Sequence, residues 1–303
     1  MMRNIAIIGL GKICEHYIKA FTTLTDYNVV AVCDLDENAY SRHYFSCPFV
    51  SDYKDLALID GLDYVVISTP PKTHFDIASF FLKNHIGVLV EKPGTLDMAS
   101  LDELISISKV YNTTFKVMYH WQFGSEVLKF NELYNPKDIE EIQVSVYDYY
   151  SLDGLSIVSD RVPLGGAFLD SGVNMLSMIK TWLDFNEVKL IDYECTRCIL
   201  TNLVIKAKVK LLIDNIPTTI TVDWTQNINS KETVIKYQGR RIRISNSLQT
   251  IFDGDNIIKV DYMNRLDAHY YNLFRLFKDK TNYEEEVKIH TALFNVNKML
   301  WKD

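Results

Sequence analysis

The stretch Arg3–Cys14, RNIAIIGLGKIC, constrains the fold more than any other part of the chain. Ile5–Ile8 is an apolar run long enough for a buried strand. Gly9-Leu10-Gly11 follows, a turn that glycine accommodates most readily. Beyond it Tyr17, Ile18, Phe21 and Leu24 recur at helical spacing. Strand, glycine turn and helix in this order make a cradle for a dinucleotide pyrophosphate. The helix N-terminus offers free N–H groups and partial positive charge to the phosphates. The pattern is G-x-G-x-x-G/A with Cys14 in the third small position, and it puts Gly9, Gly11, Lys12 and Ile13 around the phosphates.

A second apolar run, Val29–Cys33, ends in Asp34, about 20 residues past the glycines. A carboxylate there accepts hydrogen bonds from the adenosine ribose hydroxyls and repels a 2′-phosphate. No arginine follows it directly, so NAD(H) is expected over NADP(H). The plainer reading of Asp34 is an acid in a strand-end turn.

Apolar residues make up 48% of the 303 residues, enough for a sizeable core, and the length suits one large or two ordinary domains. The net charge of −7 argues against sequence-independent binding to nucleic acid or an anionic membrane, which needs a basic surface. No apolar run is long enough for a membrane span, and the first strand begins too early for a signal peptide. Five cysteines, at 14, 33, 47, 195 and 198, form no disulfide framework and suit a reducing cytoplasm. Cys195-Thr-Arg-Cys198 lacks a second ligand pair and reads as ordinary strand sequence, so no metal is expected.

Up to about residue 119 the apolar period alternates between strand and helix. Strands are expected at Ile5–Ile8, Val29–Cys33, Tyr64–Ile67, Gly87–Val90 and Phe115–Val117, and helices at about Lys12–Leu24, Asp36–Phe45, Thr73–Asn84 and Asp97–Tyr111. Such alternation, with strands apolar on both faces, implies a parallel sheet covered on both sides. From residue 120 to 303 the character is α+β. A short helix at Gly124–Asn135 and an alternating strand at Glu141–Tyr150 precede a loop, Leu152–Gly165, that contains Asp153-Gly154. A long helix from about Gly166 to Leu183 and an antiparallel meander from Val188 to Met263 follow, then two closing helices near Arg265–Lys278 and Glu284–Trp301. The expected architecture is an N-terminal Rossmann domain (1–119) and a C-terminal domain (120–303) on a large, mostly antiparallel open sheet.

Ligands of parallel sheets bind beyond the strand C-termini. Two such ends carry unusual residues: Thr69-Pro70-Pro71-Lys72-Thr73-His74, and Glu91-Lys92-Pro93. In the second half Asp170 and Asn174 are four apart, on one helix face, after Gly165-Gly166. That acid could equally be a favourable charge at a helix N-terminus.

Together these segments resemble the glucose-fructose oxidoreductase/inositol dehydrogenase (Gfo/Idh/MocA) family: GLG after the first strand, an acid after the second, TPPKTH, EKP, and GG-x-x-x-D-x-G-x-N, in order along the chain. The resemblance implies hydride transfer between a nicotinamide ring and a carbinol carbon of a sugar, cyclitol or nucleotide sugar. It implies that Lys92 approaches the reacting hydroxyl and that Asp170 orients substrate and supports proton transfer. Thr69, Pro70, Pro71 and His74 match the loop along the cofactor, which Glu91 and Lys92 adjoin. It also implies a homo-oligomer, a dimer or tetramer, with a sheet face as contact.

One departure stands out. The family carries histidine where this chain has Asn174, and a carboxamide cannot pass a proton as imidazole does, although it can hold a hydroxyl. Lys92, its ammonium pKa lowered by burial, and His120, in Tyr119-His120-Trp121-Gln122-Phe123, are the replacement proton carriers. Tyr149 and Tyr150 are weaker candidates, and Arg161 could meet an anionic substrate group. The leading expectation is an NAD(H)-dependent oxidoreductase of a carbohydrate-like substrate. A non-catalytic NAD(H)-binding sensor and a reductase of an imine or keto-sugar are the alternatives.

Overall fold

The computed structural model of the chain describes residues 2–41, 43, 45–151, 155–279 and 283–301. They divide into two compact units, Met1–Met118 with Tyr270–Val287, and Tyr119–His269 with Lys288–Asp303. The start of the loop expected over Leu152–Gly165, with Asp153-Gly154, lies outside the described residues.

The first unit alternates strand and helix: β1 (Arg3–Ile8), α1 (Cys14–Thr23), β2 (Tyr27–Cys33), α2 (Glu37–Ser41), β3 (Phe49–Val50), β4 (Tyr64–Ile67), α3 (His74–Lys83), β5 (Gly87–Glu91), α4 (Met98–Val110) and β6 (Phe115–Met118). All strand pairs are parallel, in the order β3-β2-β1-β4-β5-β6. The order reverses between β1 and β4, so the β1–α1 turn lies at the topological switch point, where such sheets bind ligands. No residue of β1, β4 or β5 is exposed, as strands covered on both faces require. Asp97 caps α4 by accepting from the Ser100 N–H at 2.8 Å, and Leu101, Leu104 and Ile105 form its buried stripe. Two local expectations change. The helix expected over Asp36–Phe45 runs only from Glu37 to Ser41, because the chain turns back to pair Pro48 O with Val32 N at 3.0 Å. That return adds β3, two residues long and too short to leave a period in the sequence.

The second unit contains α5 (Ser125–Leu133), β7 (Ile139–Tyr147), α6 (Val173–Lys180), β8 (Val188–Arg197), β9 (Val204–Ile213), β10 (Ile216–Asp223), β11 (Ser230–Tyr237), β12 (Arg240–Ser245), β13 (Thr250–Asp253) and β14 (Asn256–Lys259). Its eight strands are ordered β14-β13-β12-β11-β7-β10-β9-β8. The uninterrupted meander expected over 188–263 is therefore corrected. β7 sits between β10 and β11, parallel to the former and antiparallel to the latter. Side-chain alternation reports a strand and its buried face but not its neighbours. On β9, Ile205, Ala207, Val209 and Leu211 are buried, while Lys206 pairs with Asp223 (3.5 Å) and Lys210 with Asp192 (2.8 Å). The sheet thus has one apolar and one more polar face.

The helix expected from Gly166 begins with a π-helical turn, Phe168–Gly172, and continues as α6. Gly166 has φ +105°, and a side chain there would meet the Val204 carbonyl oxygen at 3.0 Å, so only glycine lets the chain enter the turn so close to β9.

Two helices close the chain, α7 (Arg265–Arg275) and α8 (Tyr283–Leu300). Residues of each fall into both units: α7 passes from the second to the first at Tyr270, and α8 from the first to the second at Lys288. Among the described residues no helix is long and apolar enough to cross a membrane.

β6 is an edge strand of the parallel sheet, and Glu286 of α8 accepts from its Val117 N–H at 3.1 Å. Burial raises the Glu286 carboxyl to about 8, with Lys116 opposing the shift. The native state therefore keeps a proton that the unfolded chain releases near pH 4.5. The native state binds more protons between these values, so its stability falls as pH rises through that window. Glu286→Gln is expected to remove this dependence. In urea titrations it should stabilise the protein by roughly 1–3 kcal/mol at about pH 9 and by little at about pH 4.

Candidate active site

In the first unit the site is built from strand ends. β1 stops at Ile8, and Gly9 adopts φ +93°. A side chain on Gly9 would lie 2.8 Å from the Ser68 carbonyl carbon, so the turn after β1 and the loop after β4 touch through bare backbone. Ser68 fastens them, donating from N to Ile8 O (2.8 Å) and from Oγ to Gly9 O (2.7 Å). No side chain caps α1, and nothing lies within 4 Å of where a Gly11 side chain would begin. Open space above an uncapped helix start fits a pyrophosphate. Cys14 is fully buried, and burial pushes its thiol up to about 12, so it acts as a small packing residue. Asp34 accepts from Leu10 N (2.7 Å) and Asp36 N (2.9 Å). Two hydrogen bonds leave a carboxylate with acceptor capacity for ribose hydroxyls.

Pro71 opens a short helical turn before α3, and the Thr69 and Thr73 hydroxyls share a hydrogen bond of 2.7 Å. His74 is fully buried. Its Nε2 lies 2.8 Å from Thr69 O and its Nδ1 3.0 Å from Pro93 O, so one ring ties this loop to the one carrying Lys92. Burial lowers the His74 pKa against the pull of these carbonyls.

The Lys92–Pro93 peptide bond is cis. Just before it, the buried Glu91 carboxylate accepts from the hydroxyls of Tyr17 and Tyr270, and from Lys92 N at 3.1 Å. Burial raises the carboxyl's pKa, with Lys92, Tyr17 and Tyr270 opposing. Glu91 is thus turned inward, bracing the backbone that presents Lys92.

In the second unit Asp170 lies within the π-helical turn and Asn174 on the first turn of α6. Asn174 donates from Nδ2 to Asp170 O at 3.3 Å, while its Oδ1 is buried with no hydrogen-bond partner among the described residues. Lys231 donates to Asp148 at 2.7 Å, a buried pair whose lysine is held below its ordinary range by burial. Arg161 stacks on the Tyr150 ring, 4.3 Å from its centroid. Burial, Asp148 and Asp170 raise the Tyr150 phenol, keeping it protonated.

The turn His120–Phe123 packs against α6. His120 Nδ1 lies 3.1 Å from His269 Nδ1 of α7, both rings being buried. His269 Nε2 lies 3.9 Å from Glu126 Oε1 of α5, which accepts from Asn246 Nδ2 at 2.9 Å. Sequence reasoning singled out His120 but missed His269, Glu126 and the phenols on Glu91. Tyr17 stood out only as part of an apolar helical face, and no local pattern marks the others.

The first unit is therefore a dinucleotide-binding domain of the Rossmann type. Residues 3–119 match the GFO_IDH_MocA family, described as an oxidoreductase family with an NAD-binding Rossmann fold. It is 26% identical over 179 residues to trans-1,2-dihydrobenzene-1,2-diol dehydrogenase of Xenopus tropicalis, covering 55% of this chain and 52% of that protein. It is 28% identical over 111 residues to scyllo-inositol 2-dehydrogenase (NADP(+)) IolU of Bacillus subtilis (strain 168), covering 36% and 34%. The chain spans about half the length, or less, of these two curated relatives. GenD2 from gentamicin A biosynthesis, solved in complex with NAD, shares the fold with TM-score 0.79 at 15% identity, covering 97% of this chain and 92% of that one.

The Glu91 brace makes a stability prediction. Tyr17→Phe and Tyr270→Phe should each cost about 1–2 kcal/mol in chemical denaturation. The double variant should depart from additivity, because both hydroxyls serve one carboxylate. Strict additivity would show that the two act separately.

Proposed function

We propose that the chain is an NAD(H)-dependent oxidoreductase that moves a hydride to or from a carbinol or carbonyl carbon of a sugar, cyclitol or nucleotide-sugar-like substrate. The observation that carries this reading is the bracing of the Lys92 turn. Glu91 holds it from one side and His74 from the other, at the carboxyl end of a buried parallel strand. Effort of this kind suits a charge that must be held in place while a reacting oxygen gains negative character.

A nicotinamide bound in this domain supplies the hydride acceptor or donor. Gly9, Gly11, Lys12 and Ile13 hold its pyrophosphate on the uncapped start of α1. Asp34 accepts from the ribose hydroxyls, which favours NAD(H) over its 2′-phosphorylated form. Thr69, Pro70, Pro71 and His74 line the loop beside it. Lys92 stabilises the alkoxide that develops as hydride leaves the carbinol carbon. Asp170 orients substrate hydroxyls, and Asn174 accepts from one of them through Oδ1, an acceptor with no partner among the described residues. Arg161, engaged by Tyr150, shapes the wall of this region. The five free cysteines accord with a reducing cytoplasm. Homo-oligomerisation through a sheet face belongs to the same reading.

A screen of sugars, cyclitols and nucleotide sugars by nicotinamide fluorescence tests the proposal. Lys92→Ala is expected to lower kcat by about a thousandfold while leaving nucleotide affinity nearly unchanged. Turnover untouched by that change removes Lys92 from the mechanism. Asn174→Ala should raise KM about tenfold with little loss of stability, since the oxygen it removes has no hydrogen-bond partner among the described residues.

A further inference from the structure

Within the second unit Arg161 holds its donors unspent. It stands on the short helical turn Ser159–Leu164, which leads into the π-helical turn of Asp170. Its guanidinium lies over the Tyr150 ring, 4.3 Å from the centroid, and its side chain is 25% exposed. A guanidinium carries five N–H donors. Among the described residues this one makes no side-chain hydrogen bond, and its Nε is buried without a partner. Its ion pair with Asp160 Oδ1, at 3.8 Å, is beyond hydrogen-bond reach, and the Asp160 side chain is largely exposed. Two neighbouring carboxylates are committed elsewhere. Asp148 accepts from the buried Lys231 at 2.7 Å, and Asp223 accepts from Thr225 N at 2.8 Å and Gln226 Nε2 at 3.0 Å.

The ring beneath Arg161 is fixed in place. Tyr150 donates its N–H to Trp224 O at 3.1 Å, and its carbonyl accepts from Val158 N at 3.0 Å. Val158 O in turn accepts from Arg161 N at 2.9 Å, so backbone ties the ring to the turn that stacks on it. The Trp224 ring meets Tyr150 edge-on, with centroids 5.2 Å apart. The Tyr150 hydroxyl makes no hydrogen bond among the described residues, and the side chain is half-buried. Burial and the charges of Asp148 and Asp170 raise its pKa, with Arg161 and Arg265 opposing, so the phenol donates and does not ionise.

We propose that Arg161 and Tyr150 bind a carboxylate carried by the substrate, which makes that substrate a sugar acid of the uronate class. The proposal rests on the oxidoreductase reading above and narrows it. A guanidinium presents parallel N–H groups that match the two oxygens of a carboxylate, and the phenol adds a third donor beside them. The stack on Tyr150 already restricts the arginine, so little further freedom is lost on binding. The neighbouring charges favour a carboxylate over a phosphate. Asp148 and Asp170 both act on the Tyr150 phenol, and they repel a dianion roughly twice as strongly as a monoanion. A neutral hexose leaves the guanidinium donors unspent. The carboxylate takes no part in the hydride step; it fixes the orientation of the sugar ring that carries it.

The test is a ligand-observed NMR titration of the full chain, with and without NADH. The probes are D-glucuronate, D-galacturonate and D-mannuronate, each against its parent hexose, with D-glucose 6-phosphate as the phosphate arm. At least one acid is expected to bind about tenfold more tightly than its hexose, as charge-assisted hydrogen bonds provide. Arg161→Gln should abolish that preference. Arg161→Lys should restore little of it, because the charge returns without the fork. Tyr150→Phe keeps the ring under Arg161 and should weaken the acid several-fold while leaving the hexose unchanged. These last two variants decide the matter if Arg161→Gln fails to fold. The proposal is overturned if no acid is favoured over its hexose, if the sugar phosphate binds more tightly than every acid, or if the preference survives loss of the guanidinium. Because the titration needs no turnover, an acid preference carried by Arg161 in a protein that transfers no hydride would sink the oxidoreductase reading and leave the carboxylate site standing. Oxidation of neutral sugars with no acid preference would do the reverse.

Discussion

The approach of the Gly9 backbone to Ser68 and Thr69 sets the geometry of the strand ends around it. With φ +93° and a neighbouring carbonyl carbon 2.8 Å from where a side chain would begin, the position admits no larger residue without displacement of two loops. That approach seats the Ser68 hydroxyl on Gly9 O and leaves the start of α1 facing open space. Leu10, the next residue, then donates its N–H to Asp34 at the end of β2. One absent side chain thereby coordinates the ends of three adjacent strands, and the start of α1 and Asp34 take their spacing from it.

Much of this was legible in the sequence because its causes are local. Largely apolar runs of three to five residues between helical periods marked five strands of the parallel sheet, and Gly9 marked a turn by its chemistry alone. The two-residue β3 and the place of β7 between β10 and β11 were not legible. The first is too short to have a period, and the second is a choice of partner made across the chain. The same division holds for the candidate site. Lys92, Asp170, Asn174 and His120 stood out as polar residues at strand ends and a helix start. Their supports did not, because Tyr270 is 179 residues from Glu91 and His269 is 149 from His120. A polar residue buried by a distant partner carries no mark in its own helix that separates it from a solvated one.

The supports also differ in kind between the two units. Around Glu91 each oxygen is met by a donor, and the result is a rigid turn. On Asn174, His269 and Glu126, buried atoms have no hydrogen-bond partner among the described residues. Leaving such a group unmade costs about 1–3 kcal/mol, so a fold that keeps several in one region gives up stability there. Departures from local consistency of this sort concentrate where a ligand completes what the chain leaves open. The π-helical turn that carries Asp170 belongs with them, an irregularity of a type frequent at functional sites.

The seal on β6 has a consequence for the chain as it is made. The Val117 N–H waits for a carboxyl 169 residues further along, and the first unit is completed only when residues 270–287 emerge. Until then a nascent chain carries a parallel sheet with an uncovered margin, the kind of surface that recruits strands from other molecules. For this architecture, translation must pass residue 287 before the earliest strands are safe from their neighbours on the polysome.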